Sequence, residues 1–418
     1  MKQSDCISFI GLGKLGLPLA SCIAESGKSV LCIDKNEYVL EVLRDGKLPF
    51  FEPGLEDLFE SSQKQFMGFS DSYKDIVEKT DTTVILVNTQ LGDNGYSSEF
   101  VESALTDLSV HLKRSKKPYH TILLSSTVLP GEICCKLIPL VERISGRILG
   151  ESFGFAYVPD FVKLGKVIQD FKNPEFFLVG ANNEVDYKKA LDCFSGIHVN
   201  SPSLHHLTLE ETEVAKVALN AYIVEKISFA NFLGHLCEDL PNVNVHSITE
   251  VIGKDCRISP HFFKSGTPYG GTCFPRDTQA FIKFAEDRGA RAKNIEFAEE
   301  VNTIIQKRLV QLTVDNLEKK VGILGTSFKP DSPVTVGSPA FPIINAIVSR
   351  GGVVSVYDKL CSSYRDIYIP TDAEFMVCSS AQECVNESDI VLVLHYDKDF
   401  MSLDFSNKIV IDPWGIIK

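Results

Sequence analysis

The strongest constraint on this chain sits at its beginning. A short apolar run, Cys6-Ile7-Ser8-Phe9-Ile10, passes directly into Gly11-Leu12-Gly13-Lys14-Leu15-Gly16 and then into Leu17-Pro18-Leu19-Ala20-Ser21-Cys22-Ile23-Ala24. Strand, glycine turn and helix in that order read as a dinucleotide-binding βαβ unit. The first glycine makes the tight turn, the second lets a pyrophosphate reach the backbone, and the third lets helix and strand pack. The phosphates would lie on the helix N-terminus. A second apolar strand, Ser29-Val30-Leu31-Cys32-Ile33, ends in Asp34, eighteen residues beyond Gly16. A carboxylate there accepts hydrogen bonds from ribose hydroxyls and repels a 2′-phosphate, so the expected cofactor is NAD, a preference that the adjacent Lys35 weakens. Gly11, Gly13, Lys14, Leu15, Gly16, Asp34 and Lys35 are the expected contacts of that cofactor.

The alternation continues through Thr83-Val84-Ile85-Leu86-Val87 and Thr121-Ile122-Leu123-Leu124-Ser125. Their polar ends, Asn88-Thr89 and Ser126-Thr127, fall where ligands bind in an open parallel sheet, although each could equally be a strand cap. Glu52-Pro53-Gly54-Leu55 reads as a turn and helix start with no assignable chemistry. Near the C-terminus Val321-Gly322-Ile323-Leu324-Gly325, a helix-like segment over 340–350, Val353-Val354-Ser355-Val356-Tyr357 before Asp358, Ile390-Val391-Leu392-Val393-Leu394 and Lys408-Ile409-Val410-Ile411 form a second α/β unit. It has no G-x-G-x-x-G, so a second dinucleotide is not expected; its turn carries Phe328-Lys329-Pro330-Asp331, and a lysine beyond a strand suits a phosphate. The expected fold is α/β, with two Rossmann-like doubly wound domains joined by a long central helix and a helical dimerisation region. The boundaries read as 1–200, 205–300 and 318–418.

Between the two α/β units, Thr208-Leu209-Glu210-Glu211 fits a capping box, and a helical pattern runs from 208 to Asp239, 32 residues, before Pro241. At ~1.5 Å per residue that is roughly 48 Å. Apolar residues lie on nearly every face, so the helix is expected to be buried on most sides as the shared spine of a homodimer. Lys216 and Asn220 stand four apart on one face: either a solvated lysine with an incidental amide, or a pair that reaches a developing alkoxide.

Further on comes Tyr269-Gly270-Gly271-Thr272-Cys273-Phe274-Pro275-Arg276-Asp277. A free cysteine is usually a small buried hydrophobe and a glycine pair usually a turn. Read chemically, the glycines clear space for a ligand, and Cys273 becomes a nucleophile with a charged pair beside it. The other cysteines argue for neither disulfides nor metal: of twelve, most are scattered, Cys134 and Cys135 are adjacent, and no C-x-x-C occurs, so no metal site is expected. The 418 residues are 44% hydrophobic and 23% charged, with net charge −13. That balance lacks the footprint of a nucleic-acid binder. With no apolar run near eighteen residues and no leader pattern at the start, the expectation is a cytoplasmic protein with no membrane partner.

Five motifs in order carry a resemblance: Gly11–Gly16 with Leu17-Pro18, Ser125-Ser126-Thr127-Val128-Leu129-Pro130-Gly131, Lys216-Val217-Ala218-Leu219-Asn220-Ala221, Gly270–Asp277, and Phe328–Asp331. The chain resembles, over almost its whole length, the nucleotide-sugar dehydrogenases that oxidise UDP-glucose or GDP-mannose at C6 to the uronic acid. The resemblance implies two NAD per turnover, a nucleotide-sugar substrate with a UDP-hexose foremost, and a role in making surface-polysaccharide precursors. It implies catalytic roles for Cys273, Lys216, Asn220, Asp277, Asp160 and Thr127. Substrate contacts are implied at Phe161, Val162, Lys163, Lys216, Asn220, Phe263, Tyr269, Gly270, Gly271, Phe328 and Lys329, with Arg257 reaching in from a neighbouring subunit and Lys264 in the same loop region as Phe263.

Three departures stand out. Val158-Pro159-Asp160-Phe161-Val162-Lys163-Leu164-Gly165 carries Asp160 and Leu164 where the family has two glutamates, the first being its hydrolytic base. An aspartate reaches about 1.5 Å less far, a displacement able to slow deacylation roughly 10²-fold. Val336 stands where the family has a cofactor-facing arginine, and Gln90 replaces a proline. Two other readings remain beside the four-electron dehydrogenase. One is a two-electron dehydrogenase of the hydroxyacid or 6-phosphogluconate kind with Cys273 merely structural; the other is a silent homologue that binds nucleotide sugar or serves as an assembly subunit.

Overall fold

The computed structural model describes residues 6–92, 95–315, 319–361 and 368–417. The chain forms two compact units, Met1–Val217 and Ala218–Lys418.

In the first unit the strands are β1 (Cys6–Ile10), β2 (Ser29–Ile33), β3 (Met67–Phe69), β4 (Thr82–Ile85), β5 (Gln90–Gly92), β6 (Gly95–Ser97), β7 (Thr121–Leu124), β8 (Gly154–Tyr157), β9 (Phe176–Ala181) and β10 (Ser203–Leu207). Helices α1 (Gly16–Glu25), α2 (Glu37–Arg44), α3 (Leu55–Phe66), α4 (Tyr73–Lys79), α5 (Glu99–Leu112), α6 (Ile138–Ser145), α7 (Val167–Lys172) and α8 (Glu184–Phe194) connect them. One eight-stranded sheet has the order β10-β9-β8-β7-β4-β1-β2-β3, while β5 and β6 make a separate antiparallel hairpin. Every sheet pairing is parallel except β8 with β9.

Alternate residues of the same strands feed opposite layers. Phe9, Val84 and Leu123 join one apolar cluster, and Ile10, Ile85 and Leu124 join the other. Cover on both faces is why these strands read as unbroken apolar runs. It also sends ligands to the strand ends, and Gly11, Asp34, Asn88, Thr127 and Asp160 all lie beyond the C-terminal ends of β1, β2, β4, β7 and β8.

Helix α9 (Leu209–Cys237) begins in the first unit and continues in the second. Its start is the expected capping box: Thr208 N–H donates to Glu211 at 2.9 Å and Glu211 N–H to Thr208 Oγ1 at 3.2 Å. It is 29 residues, shorter than the 32 expected, because bonds from Glu238 N–H to His235 O and from Leu240 N–H to Cys237 O tighten the chain into a turn. Within the single chain its burial is uneven. Val217, Ala221, Val224 and Ala230 are buried, but Tyr222, Phe229 and Leu236 are 60%, 53% and 53% exposed. Spaced seven apart, they form one apolar stripe along the helix.

The second unit adds α10 (Val245–Gly253), α11 (Phe274–Glu286), α12 (Lys293–Val314), α13 (Ala340–Val348) and α14 (Ala381–Asn386). Strands β11 (Val321–Leu324), β12 (Val354–Tyr357), β13 (Met376–Val377), β14 (Ile390–Val393) and β15 (Ile409–Ile411) form a parallel sheet ordered β13-β12-β11-β14-β15. The order around β11 repeats the order around β1. Among the described residues, no helix is long and apolar enough to cross a membrane.

Candidate active site

The glycine turn after β1 divides its labour as the spacing implies. A Cβ on Gly11, whose φ is +98°, would lie 2.3 Å from Leu86 O, and one on Gly16 would lie 2.1 Å from Gly11 O. One on Gly13 would meet nothing within 4 Å among the described residues, so the middle of the turn presents bare backbone, the surface a diphosphate needs at a helix N-terminus. Lys14 is exposed beside it, and Leu15 packs onto the core. Asp34 is part exposed and held beyond β2 by two backbone donors, Leu12 N–H at 2.6 Å and Asn36 N–H at 2.8 Å. Lys35 Nζ is 3.4 Å from Ser103 Oγ. Ser126 Oγ ties β4 to β7, accepting from Val87 N–H at 2.8 Å and donating to Val87 O at 2.9 Å. Asn88 is exposed, Thr89 buried and Thr127 half-buried. The residues present fit a dinucleotide.

Beyond β8 the loop carrying Asp160 meets α9. Lys216, 9% exposed, donates from Nζ to Asp160 O and sits 4.8 Å over the Phe161 ring. Asp160 Oδ2 is buried with no hydrogen-bond partner among the described residues. Burial pushes this carboxyl up to about 7, against the opposing pull of Lys216. Phe161 packs on Phe176 at 4.9 Å. Val162 and Leu164 pack against the apolar core. Lys163 is exposed and pairs with Asp170 at 3.8 Å.

In the second unit Cys273 is exposed and caps the N-terminus of α11, where Pro275 occupies the first turn. Unsatisfied N–H groups at a helix N-terminus favour negative charge on whatever is held there. One turn on, Asp277 N–H donates to Cys273 O at 2.8 Å. The Asp277 carboxylate is fully buried; it accepts from Asn220 Nδ2 at 2.5 Å and from Arg276 Nε at 3.1 Å. Carboxylate and amide thus meet directly, one helical turn from the cysteine, with the amide on α9 four residues after Lys216.

The double glycine calls for a different account from the one its residue type suggested. A Cβ on Gly270 would lie 1.9 Å from Gly337 O, and one on Gly271, φ +81°, would lie 2.7 Å from the Phe328 ring. The space is taken by the chain itself, so the glycines let the thiol loop pack against the loops after β11. Tyr269 is locked by Asn302, which accepts from its N–H at 2.8 Å and donates to its C=O at 3.0 Å. Phe263 is buried and stacks on Phe229 at 6.1 Å, while Lys264 Nζ lies 4.0 Å over Tyr396. Lys329 Nζ lies 5.5 Å over Phe328. Within this chain Arg257 is exposed, gripping Asp255 at 2.6 and 2.9 Å, apart from the thiol cluster's contacts. Val336 is 40% exposed.

Comparison with known proteins matches three stretches of the chain. Residues 5–197 match the NAD binding domain of the UDP-glucose/GDP-mannose dehydrogenase family, residues 210–304 its central domain and residues 322–418 its UDP binding domain. A UDP-glucose 6-dehydrogenase (AglM) of Haloferax volcanii is 30% identical, over 98% of this chain and 97% of its own length. The chain belongs to the UDP-glucose/GDP-mannose dehydrogenase family. A GDP-mannose 6-dehydrogenase of Pseudomonas savastanoi pv. phaseolicola is 26% identical over 95% of this chain and 92% of its own. Among solved structures, a UDP-glucose dehydrogenase from Pyrobaculum islandicum superposes with a TM-score of 0.89 at 28% identity, covering 99% of this chain and 95% of the other. Membership makes this chain an NAD-dependent nucleotide-sugar 6-dehydrogenase.

Two residues of this dehydrogenase that sequence reasoning missed are buried glutamates. Glu52 accepts from Gly165 N–H at 3.0 Å and Val167 N–H at 2.8 Å, fastening the end of the Asp160 loop. Glu213, on α9, accepts from Gly131 N–H at 2.7 Å and Ile133 N–H at 2.9 Å, fastening the loop that follows Thr127. Burial pushes Glu213 up to about 7 although both N–H donors pull it down. An acid inside Glu52-Pro53-Gly54 was the available signal for the first; nothing local marked the second.

Proposed function

We propose that this dehydrogenase oxidises a nucleotide-linked hexose, a UDP-hexose foremost, at C6 to the uronic acid in two successive two-electron steps through covalent attachment to Cys273. The observation that carries the reading is the exposed cysteine at the N-cap of α11, one turn from a buried carboxylate bonded to the Asn220 amide. Bound NAD supplies the hydride acceptor in each oxidation. Lys216 and Asn220 donate to the C6 oxygen as charge develops on it, and Asp277, through water, takes its proton. Cys273 Sγ then adds to the aldehyde carbon to give a thiohemiacetal, whose oxidation leaves a thioester. Water activated by Asp160 adds to the thioester carbonyl; the C–S bond breaks, the carboxylate leaves and the thiol is regenerated. Thr127 stands with Asp160 in this last step. Gly11 to Gly16, Asp34, Lys35, Asn88, Thr89 and Ser126 hold the cofactor. Phe161, Val162, Lys163, Phe263, Tyr269, Gly270, Gly271, Phe328 and Lys329 form the nucleotide-sugar set, and Arg257 belongs to the site of a second copy. The exposed stripe Tyr222, Phe229 and Leu236 supports a homodimer through the 208–239 helix. The product would serve as an activated precursor for polysaccharide.

A panel of UDP- and GDP-sugars, with NADH counted per sugar consumed, tests the reading. Two NADH per sugar with loss of uronate in Cys273→Ala is expected, and one NADH, or undiminished uronate from that variant, would overturn the covalent route. A binding subunit without turnover is the second reading, favoured by Leu164 packing into the core where the family's second glutamate would stand. Binding of sugar with no NADH across the panel would establish it.

A further inference from the structure

The cofactor groove holds an acidic residue that neither the glycine turn nor Asp34 accounts for. Helix α2 and the loop after β3 border a groove of about 510 Å³ whose lining includes Asp34, Lys35, Arg44, Asp71 and Tyr73. Asp34 lies there with both oxygens oriented by backbone N–H groups, as a ribose-binding acid requires. An arginine close to such an acid is the residue type that accommodates the 2′-phosphate of NADP. Arg44 is that arginine, on the last turn of α2 in the same groove. Its guanidinium is not directed at Asp34: Arg44 Nη2 donates to Asp71 Oδ1 at 2.6 Å.

The pair contributes little to the fold. The two side chains are 39% and 71% exposed, and ion pairs so exposed are worth little, because water competes for both charges. Its consequence is electrostatic and local. A guanidinium committed to a carboxylate presents fewer free donors and less net charge to a second anion, whereas a released one forms strong, often bidentate bonds with phosphate.

We propose that Asp71 is a specificity-determining residue, which engages Arg44 and so withholds from a 2′-phosphate the one arginine that, among the described residues, lines the Asp34 groove. Discrimination against NADP then has two parts: the charge of Asp34, and the occupation of Arg44 by Asp71. The inference rests on the NAD cofactor of the family and not on the sugar or the thiol, so it is read from binding alone.

Calorimetric Kd values for NAD and NADP on the wild type, Asp71→Asn, Arg44→Ala and the double variant test it, with melting temperatures confirming that each is folded. Asp71→Asn is expected to lower the ratio Kd(NADP)/Kd(NAD) about tenfold, the scale of one charge-assisted phosphate contact. Adding Arg44→Ala is expected to abolish that gain. An unchanged ratio in Asp71→Asn would overturn the proposal. So would a gain that survives removal of Arg44, since the cation responsible would then not be the one Asp71 holds.

Discussion

Around β1, Gly11 N–H donates to Ile33 O at 3.0 Å, Leu12 N–H to Asp34 at 2.6 Å and Leu86 N–H to Ile10 O at 2.9 Å. Around β11, Gly325 N–H donates to Tyr357 O at 2.8 Å, Thr326 N–H to Asp358 at 2.8 Å and Leu394 N–H to Leu324 O at 2.9 Å. The carboxylates also mirror each other in accepting from the residue two further on, Asn36 N–H at 2.8 Å and Leu360 N–H at 3.0 Å. The two turns part at one position. Where the first has Gly13 facing open space, the second has Ser327, whose N–H and hydroxyl both donate to Asp358 at 2.8 Å. His395 closes the remaining volume: its ring would lie 2.4 Å from a Cβ on Gly325, and its Nε2 is 4.0 Å from Asp358. Asp34 therefore stays part exposed beside a groove, and Asp358 is 3% exposed. Two equivalent aspartates differ in whether the fold itself fills their lone pairs. One stays open to its surroundings; the other is internal structure. Asp160, with a buried oxygen that has no partner among the described residues, is a third outcome of a strand-end aspartate.

The largest effect is expected from Asp358→Ala, which strips the acceptor from three buried donors. At about 1 to 3 kcal/mol each, the loss is about 3 kcal/mol or more. For a unit of this size that lowers the melting temperature by roughly 6 to 12 °C. An unchanged melting curve would break the comparison. Its pH dependence sharpens it. Burial pushes Asp358 up, but His395 and the N–H donors of Ser327, Thr326 and Leu360 outweigh it, and the folded value is lowered. The stability it contributes is thus complete above the unfolded value of about 3.9 and lost as pH falls through the lower folded one. Melting of the wild type should steepen with acid below that point, and melting of Asp358→Asn should not.

Asp160→Asn is expected to leave stability near that of the wild type and to slow thioester release by roughly 10²-fold. Intact mass should then reveal a Cys273-linked adduct, and turnover without adduct would remove Asp160 from the role of base. In the wild type, release in single-turnover experiments should rise with pH through about 7 and level off, because the carboxyl must be ionised to accept a proton. Asp34→Ala carries the smallest expected effect: about tenfold weaker NAD by calorimetry, with about 1 kcal/mol of stability lost. A stability loss as large as that of Asp358→Ala would mean the two aspartates are equivalent after all.

Sequence reasoning reached the family and the order of its elements because those signals are local. The glycine turn with its flanking strand and helix, the capping box at Thr208 and the thiol ahead of Pro275 each depend on residues a few positions apart, where chain geometry leaves few alternatives. Helix α9 shows the limit. Its sequence is apolar on nearly every face, and only its neighbours decided that Val217 and Val224 would be covered while Tyr222, Phe229 and Leu236 would not.

Composition and spacing thus settled the α/β class, the dinucleotide turn, the position of Asp34 and the thiol with its flanking charges. Tertiary structure alone decided that Gly270 and Gly271 make room for Gly337 and Phe328, that Glu52 and Glu213 clamp loops distant in sequence, and that Asp71 occupies Arg44. It also decided that Asp34 stays open while Asp358 is filled. The reason is the same in each case: burial, charge pairing and lone-pair satisfaction depend on which atoms approach from elsewhere in the chain, and no local pattern records them.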